Sequence, residues 1–99
     1  MIYVFVSSPA VKADIVAATN YYKAIHPKLA RQFLLRIREA KTHIANSPFG
    51  FQIKYKKVRT IFLKQFPYQI HYIIDETNQV IVILAVIHAY KNPADYTNR

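Results

Sequence analysis

Residues 79–89, QVIVILAVIHA, are apolar at both parities: Val80, Val82, Leu84 and Val86 fall on one side of an extended chain, and Ile81, Ile83, Ala85 and Ile87 on the other. A strand sends alternate side chains to opposite faces, so a run with no polar side is stable only as a central strand covered on both faces. Residues 58–66 and 68–75, also rich in Val, Ile, Tyr and Phe, read as the strands before it. The polar pause Asp75-Glu76-Thr77-Asn78 is a short turn that folds one strand back on the next, which predicts an antiparallel meander. Pro67 cannot donate a ladder hydrogen bond and marks an edge, bulge or bend. Residues 51–57, FQIKYKK, read as an irregular strand or a loop.

Before the meander, residues 1–6 suit a strand covered on both faces, and Ser7-Ser8-Pro9 reads as a helix start, with a Ser hydroxyl as cap and Pro at the first helical position. Val11, Ile15, Ala18, Tyr22 and Ile25 recur at spacings of three and four and form the core stripe of that helix. His26-Pro27 ends it and opens a second, whose stripe is Leu29, Ala30, Phe33, Ile37, Ala40 and Ile44. Leu35 falls on the outer side of this helix and is either a partner contact or an ordinary exposed Leu. The breakers Asn46-Ser47-Pro48-Phe49-Gly50 include the only glycine of the chain, so few backbone positions are expected to need positive φ. The expected fold is α+β: an N-terminal strand, an antiparallel two-helix hairpin, then an antiparallel meander forming one sheet. The helices cover one face, and Tyr and basic side chains are displayed on the other.

A chain of 99 residues, 53% of them hydrophobic, forms a single domain over 1–99 and buries roughly 65% of its unfolded surface. Without cysteine it has neither disulfides nor thiolate metal sites. No run approaches the ~18 apolar residues of a membrane span and the N-terminus lacks a signal pattern, so a soluble, cytoplasmic protein without membrane contact is expected. Fourteen Lys and Arg against five Asp and Glu give a net charge of +9, a field that attracts polyanions or an acidic protein without separating the two. One glycine cannot build a phosphate-binding loop, and scattered Asp14, Glu39, Asp75, Glu76 and Asp95 offer neither a metal site nor a carboxylate pair. No metal or cofactor is expected.

The order of elements, with Ala13, Asp14, Ile15, Tyr21 and Tyr22 in the first helix, Ala30 and Phe33 in the second, Ser47-Pro48-Phe49-Gly50 at its exit, then Val58, Arg59, Leu63, FPYQIHY and AVIHAYKNP, resembles the RelE/ParE superfamily of bacterial type II toxin–antitoxin toxins. The FPYQIHY and IHAYKNP wording looks closer to the ParE-like side. The resemblance implies a growth-inhibiting toxin neutralised by a cognate acidic antitoxin whose extended or helical tail wraps it. Members similar to ParE block DNA gyrase, whereas those similar to RelE cut mRNA in the ribosome. A third reading is a decayed, non-toxic member that only binds antitoxin; whether this chain is an enzyme and whether it forms a homodimer stay open.

A metal-free ribonuclease must activate a 2′-hydroxyl, neutralise the phosphorane and protonate the leaving oxygen, which needs converging Lys, Arg, His or Tyr. For that alternative the catalytic candidates are Lys54, Arg59, His88 and Tyr90. Nucleases of this kind place an arginine at the end of the last strand, where this chain has Leu84-Ala85-Val86-Ile87. For target or antitoxin binding the candidates are Lys56, Lys57, Arg59, His71, Tyr90, Lys91, Tyr96 and Arg99. Each has a plainer reading: His71 as a structural strand histidine, the Lys run as a solvated edge that discourages strand pairing, and the tyrosines as sheet formers. Arg59, beside Val58 and Ile61, is the cation expected to be fixed in place, by substrate, antitoxin carboxylates or an internal acid.

Overall fold

The computed structural model describes residues 3–90. In chain order the elements are β1 (Val4–Ser7), α1 (Pro9–Ile25), α2 (Pro27–Asn46), β2 (Ile53–Tyr55), β3 (Val58–Phe62), β4 (Tyr68–Asp75) and β5 (Val80–His88). The strands form one sheet in the order β1-β5-β4-β3-β2, so β5 is internal as its apolar run demands. β2 to β5 are the expected antiparallel meander, but β1 pairs with β5 in parallel and the sheet is mixed. The α1–α2 hairpin between β1 and the meander supplies the long crossover that a parallel pair needs.

His26 links the helices by serving both. In extended conformation, its backbone N–H closes α1 on the Tyr22 carbonyl, and its Nδ1 accepts the Lys28 N–H at 3.1 Å to open α2, with Pro27 at the first helical position. Ser8 sits at the N-cap of α1, but its hydroxyl makes no capping bond; its carbonyl accepts the Val11 N–H at 3.0 Å. Val11 and Ala18 are buried as expected, whereas Ile25 is exposed, because the last turn of α1 carries it beyond the packed layer. From α2, Ala30, Phe33, Ile37, Ala40 and Ile44 are buried. They pack with Ile61, Leu63, Phe66, Ile70, Tyr72, Ile81, Ile83 and Val86 in one core. Phe33 has no exposed surface and sits 5.3 Å from the Phe66 ring and 5.2 Å from the Tyr68 ring, both edge-on.

Strand β1 departs from the expectation of double cover. It is an edge strand whose Phe5 packs on the core, while Val4, 61% exposed, and Val6, 47% exposed, have the opposite parity and lie on the face turned away from the helices. A second correction concerns β5. His71 pairs with Ala85 but Tyr72 with Ile83, so Leu84 is an extra residue, a β-bulge that reverses the alternation. Ile81, Ile83 and Val86 therefore all face the helices, while Ala85 and Ile87 form a separate buried cluster with Tyr55 on the outer face. Positive φ falls on Lys56, Gln65 and Gln79, all at turns, and not on Gly50. Gly50 sits close to the end of α2: a Cβ there would lie 3.2 Å from both the Cβ and the carbonyl oxygen of Ser47, tight contacts that Ser47 would have to yield by a few tenths of an ångström to accept.

Phe33→Ala should lower unfolding free energy by about 3–5 kcal/mol, read from the urea midpoint, because the ring is enclosed and its aromatic neighbours cannot fully collapse into the void.

Candidate functional site

The β3–β4–β5 register places the predicted site residues. Directly opposed residues share a face, so Tyr68, Ile70, Tyr72 and their partners Arg59, Ile61, Val86 and His88 point to the helix side. Gln69, His71 and Thr60 point outward. The expectation of tyrosines displayed on the open face is thus overturned for Tyr68 and Tyr72, whose parity is that of the core residue Ile70.

Three separate constellations result. On the outer face, Lys54 Nζ donates to Gln69 Oε1 at 3.2 Å, and His71 Nε2 lies 3.0 Å from the same oxygen. His71 is fully buried, with the Tyr55 ring 5.9 Å away. Gln52, Ile53, Lys54, Thr60, Phe62 and Gln69 line a shallow depression of about 290 Å³ beside it. Lys56 and Lys57 are exposed at the turn between β2 and β3.

The second constellation is a clamp on the loop that follows α2. Arg59 Nη1 donates to the carbonyls of Phe51 at 2.7 Å and Phe49 at 3.2 Å, and its guanidinium lies 5.3 Å from the Phe49 ring centre. Tyr72 Oη donates to the Pro48 carbonyl at 2.7 Å. Arg59 is fixed as expected, but its partners are carbonyl oxygens. Burial pushes the Tyr72 phenol up to about 12, against a smaller opposing pull from Arg59.

The third lies where α1, β4 and β5 end together. Rings follow in sequence from Tyr21 to Tyr22 (5.2 Å), Tyr68 (6.1 Å), His88 (5.5 Å) and Tyr90 (5.6 Å). Tyr90 is 86% exposed, and its N–H donates to His88 Nδ1 at 3.3 Å. Two adjoining hollows, of about 250 and 330 Å³, share Tyr21, Tyr68 and His88, and Asp14 lies in the wall of the smaller. Asp14 Oδ2 accepts the Val86 N–H at 3.1 Å, capping β5 beyond the reach of β1. Tyr22 and Tyr68 are shifted upward, first by burial and then by coupling to neighbouring phenols, Tyr68 and Tyr21 for Tyr22 and Tyr21 for Tyr68, with the Asp14 carboxylate adding to the latter.

Of the nuclease candidates, His88 and Tyr90 come together and Arg59 and Lys54 do not join them. Arg59 is opposite Tyr72 and His88 opposite Tyr68, four residues along β4 and on flanking strands. That is about 13 Å along the sheet and about 10 Å across it. Lys54 lies on the outer face. Lys91, Tyr96 and Arg99 lie outside the described residues. Sequence reading missed the contributions of Tyr21, Pro67 and Gln69 to these surfaces; for Gln69 the signal was its shared parity with His71.

A sequence model of the ParE toxin of the type II toxin–antitoxin system parDE matches residues 5–93. The chain belongs to the ParE toxin family. It is 32% identical over 84 residues to Toxin ParE2 of Mycobacterium tuberculosis, covering 84% of this chain and 78% of that protein. Its fold is similar to a chain of the chromosomal ParDE system from P. aeruginosa, with a TM-score of 0.75 at 19% identity over 88% of this chain and 96% of the other. It is also similar to a free mutant of E. coli toxin RelE, with a TM-score of 0.63 at 13% identity over 100% and 98% of the two chains.

The folded Tyr72 phenol holds its proton more tightly than the unfolded one. The native state therefore binds more protons between pH 10 and about 12, and stability falls as pH rises through that window. Tyr72→Phe should be about 1–2 kcal/mol less stable than the parent near pH 7, having lost the bond to Pro48. That gap should narrow above pH 10 in paired urea titrations.

Proposed function

We propose that this ParE-family toxin arrests growth by binding a cytoplasmic protein target, DNA gyrase in the first instance, and is held inactive by an acidic antitoxin. The observation that carries this reading is the dispersal of the cationic and aromatic candidates over three places, with Arg59 committed to two backbone carbonyls. Phosphoryl-transfer catalysis without a metal needs those groups on one reacting phosphate. The His88–Tyr90 end instead has the character of a protein contact: exposed aromatic rings over a partly apolar floor of Ile25, Pro67 and Tyr68. Lys56 and Lys57 at the β2–β3 turn supply rim charges that speed encounter with an acidic surface.

Antitoxin binding is supported by the contrast between the two sheet edges. β2 carries Lys54 and is followed by Lys56 and Lys57, a pattern that blunts strand addition. β1, VFVS, has no charge or proline and leaves Val4 and Val6 exposed, so it suits an extended partner segment adding as a sixth strand. The likeness to RelE and the Lys54–Gln69–His71 group on the outer face favour the second reading, a ribosome-dependent mRNA endoribonuclease.

Purified toxin should inhibit gyrase supercoiling or trap cleaved DNA complexes while ribosome-bound message stays intact. Changing His88 and Tyr90 together to Ala should weaken inhibition at least tenfold with little change in thermal midpoint. Codon-positioned cuts in message with gyrase unaffected would replace this reading by the nuclease one. Separately, Val6→Lys should reduce affinity for the antitoxin at least tenfold by isothermal titration while growth arrest persists.

A further inference from the structure

Helix α1 carries Asp14, Ala17, Ala18 and Tyr21 at spacings of three and four, so they share the side that borders the ends of β4 and β5. The two alanines keep the wall low between the carboxylate and the ring, which opens the hollow of about 250 Å³; the hollow of about 330 Å³ adjoins it at Tyr21, Tyr68 and His88. The rings around them meet steeply, at 80° between Tyr21 and Tyr22, 64° between Tyr22 and Tyr68, and 71° between Tyr68 and His88. Neither hollow has Lys or Arg in its walls, whereas three others on the described surface hold Lys54, Arg36 with Lys64, or Lys57 with Arg59. Lys23, two residues beyond Tyr21, is turned about 200° around α1 from it. A carboxylate keeps its charge while accepting a backbone N–H, and the charge of Asp14 is felt at the Tyr68 phenol, which it helps to raise after burial and Tyr21.

We infer that this end of the toxin is a cage for a cationic side chain, arginine foremost, of the protein on which it acts. The inference rests on the protein-target reading above and names the chemistry of that contact. A cation is attracted to the negative face of an aromatic ring, and rings set steeply to one another enclose a space as stacked rings cannot. A carboxylate in the wall adds a charge-assisted acceptor for a guanidinium or ammonium group. On a chain of net charge +9, walls that hold a carboxylate and no cation single out a positively charged group and repel an acidic one. Single-stranded nucleic acid asks for the opposite, a cationic groove along the backbone with ring faces open for stacking. Hollows of this size stand at the lower limit of small-molecule pockets and suit one inserted side chain.

The test titrates the full-length toxin with N-acetyl-arginine amide, its neutral isostere N-acetyl-citrulline amide, and adenosine, following the ring signals of Tyr21, Tyr68 and His88 by NMR. The arginine compound should shift all three, and the citrulline compound should bind at least threefold more weakly. Asp14→Asn, which keeps an oxygen to accept the Val86 N–H, and Tyr21→Leu should each weaken arginine binding at least threefold, whereas Tyr21→Phe, which keeps the ring, should bind like the parent. If Asp14→Asn lowers the thermal midpoint, the Tyr21 pair decides alone, since that side chain is 62% exposed. Citrulline binding as tight as arginine binding, or indifference to the substitutions, overturns the proposal. So does adenosine shifting the same rings where the arginine compound does not, which would assign this end to a base. Gyrase supercoiling, assayed in parallel, separates the two readings. Asp14→Asn and Tyr21→Leu should inhibit it at least threefold less than the parent, and variants that lose the arginine compound yet inhibit fully remove the target from the cage and overturn the proposal. A parent that leaves gyrase untouched while binding the arginine compound as described refutes gyrase as the target and leaves the cation site standing.

Discussion

The molecule is organised by the need to bury both faces of β5. Its helix-facing residues Ile81, Ile83 and Val86 are covered by α1 and α2, and its outer residues Ala85 and Ile87 are buried with Tyr55 packed on them. At about 25 cal/mol per Å² of apolar surface removed from water, a strand of Val, Ile and Leu cannot stand at an edge without losing several kcal/mol. β1 and β4 therefore flank it, and the hairpin must return across the sheet to bring β1 alongside.

The bulge at Leu84 turns that architecture into a functional arrangement. Without the extra residue, Ala85 and Ile87 would continue the inner row of Ile81 and Ile83, and His88 would point outward beside Gln69 and His71. With it, His88 joins Tyr68 on the helix side, where α1 brings Tyr21 and Tyr22, and the polar outer group is left without a second histidine. One inserted residue thus separates groups that strict alternation would have gathered on one face.

This explains how far the sequence could be read. Helix limits, the capping His26-Pro27 junction, the core stripe of α2 and the central place of β5 follow from periodicity and local chemistry, which act over a few residues. The parallel pairing of β1 was hidden because strand direction depends on the crossover, and a short apolar strand reads alike in either sense. The bulge was hidden because every residue around Leu84 is apolar, so a slip of one leaves no polar mark. Arg59 was recognisable as a fixed cation, but its partners are main-chain carbonyls of a loop, and carbonyls carry no sequence signature.

Charge and structure meet most directly in the hairpin. Half of the fourteen basic residues lie in the two helices, where salt bridges could have neutralised them, and a single Arg36–Glu39 pair is formed among the described residues. Self-repulsion across so small a domain opposes compactness, and nothing in the packing of the core requires those cations, since its helix residues are all apolar. Leu34 and Leu35 stand 42% and 51% exposed among these charges, so the outer side of α2 mixes aliphatic and cationic surface while its inner side is wholly apolar.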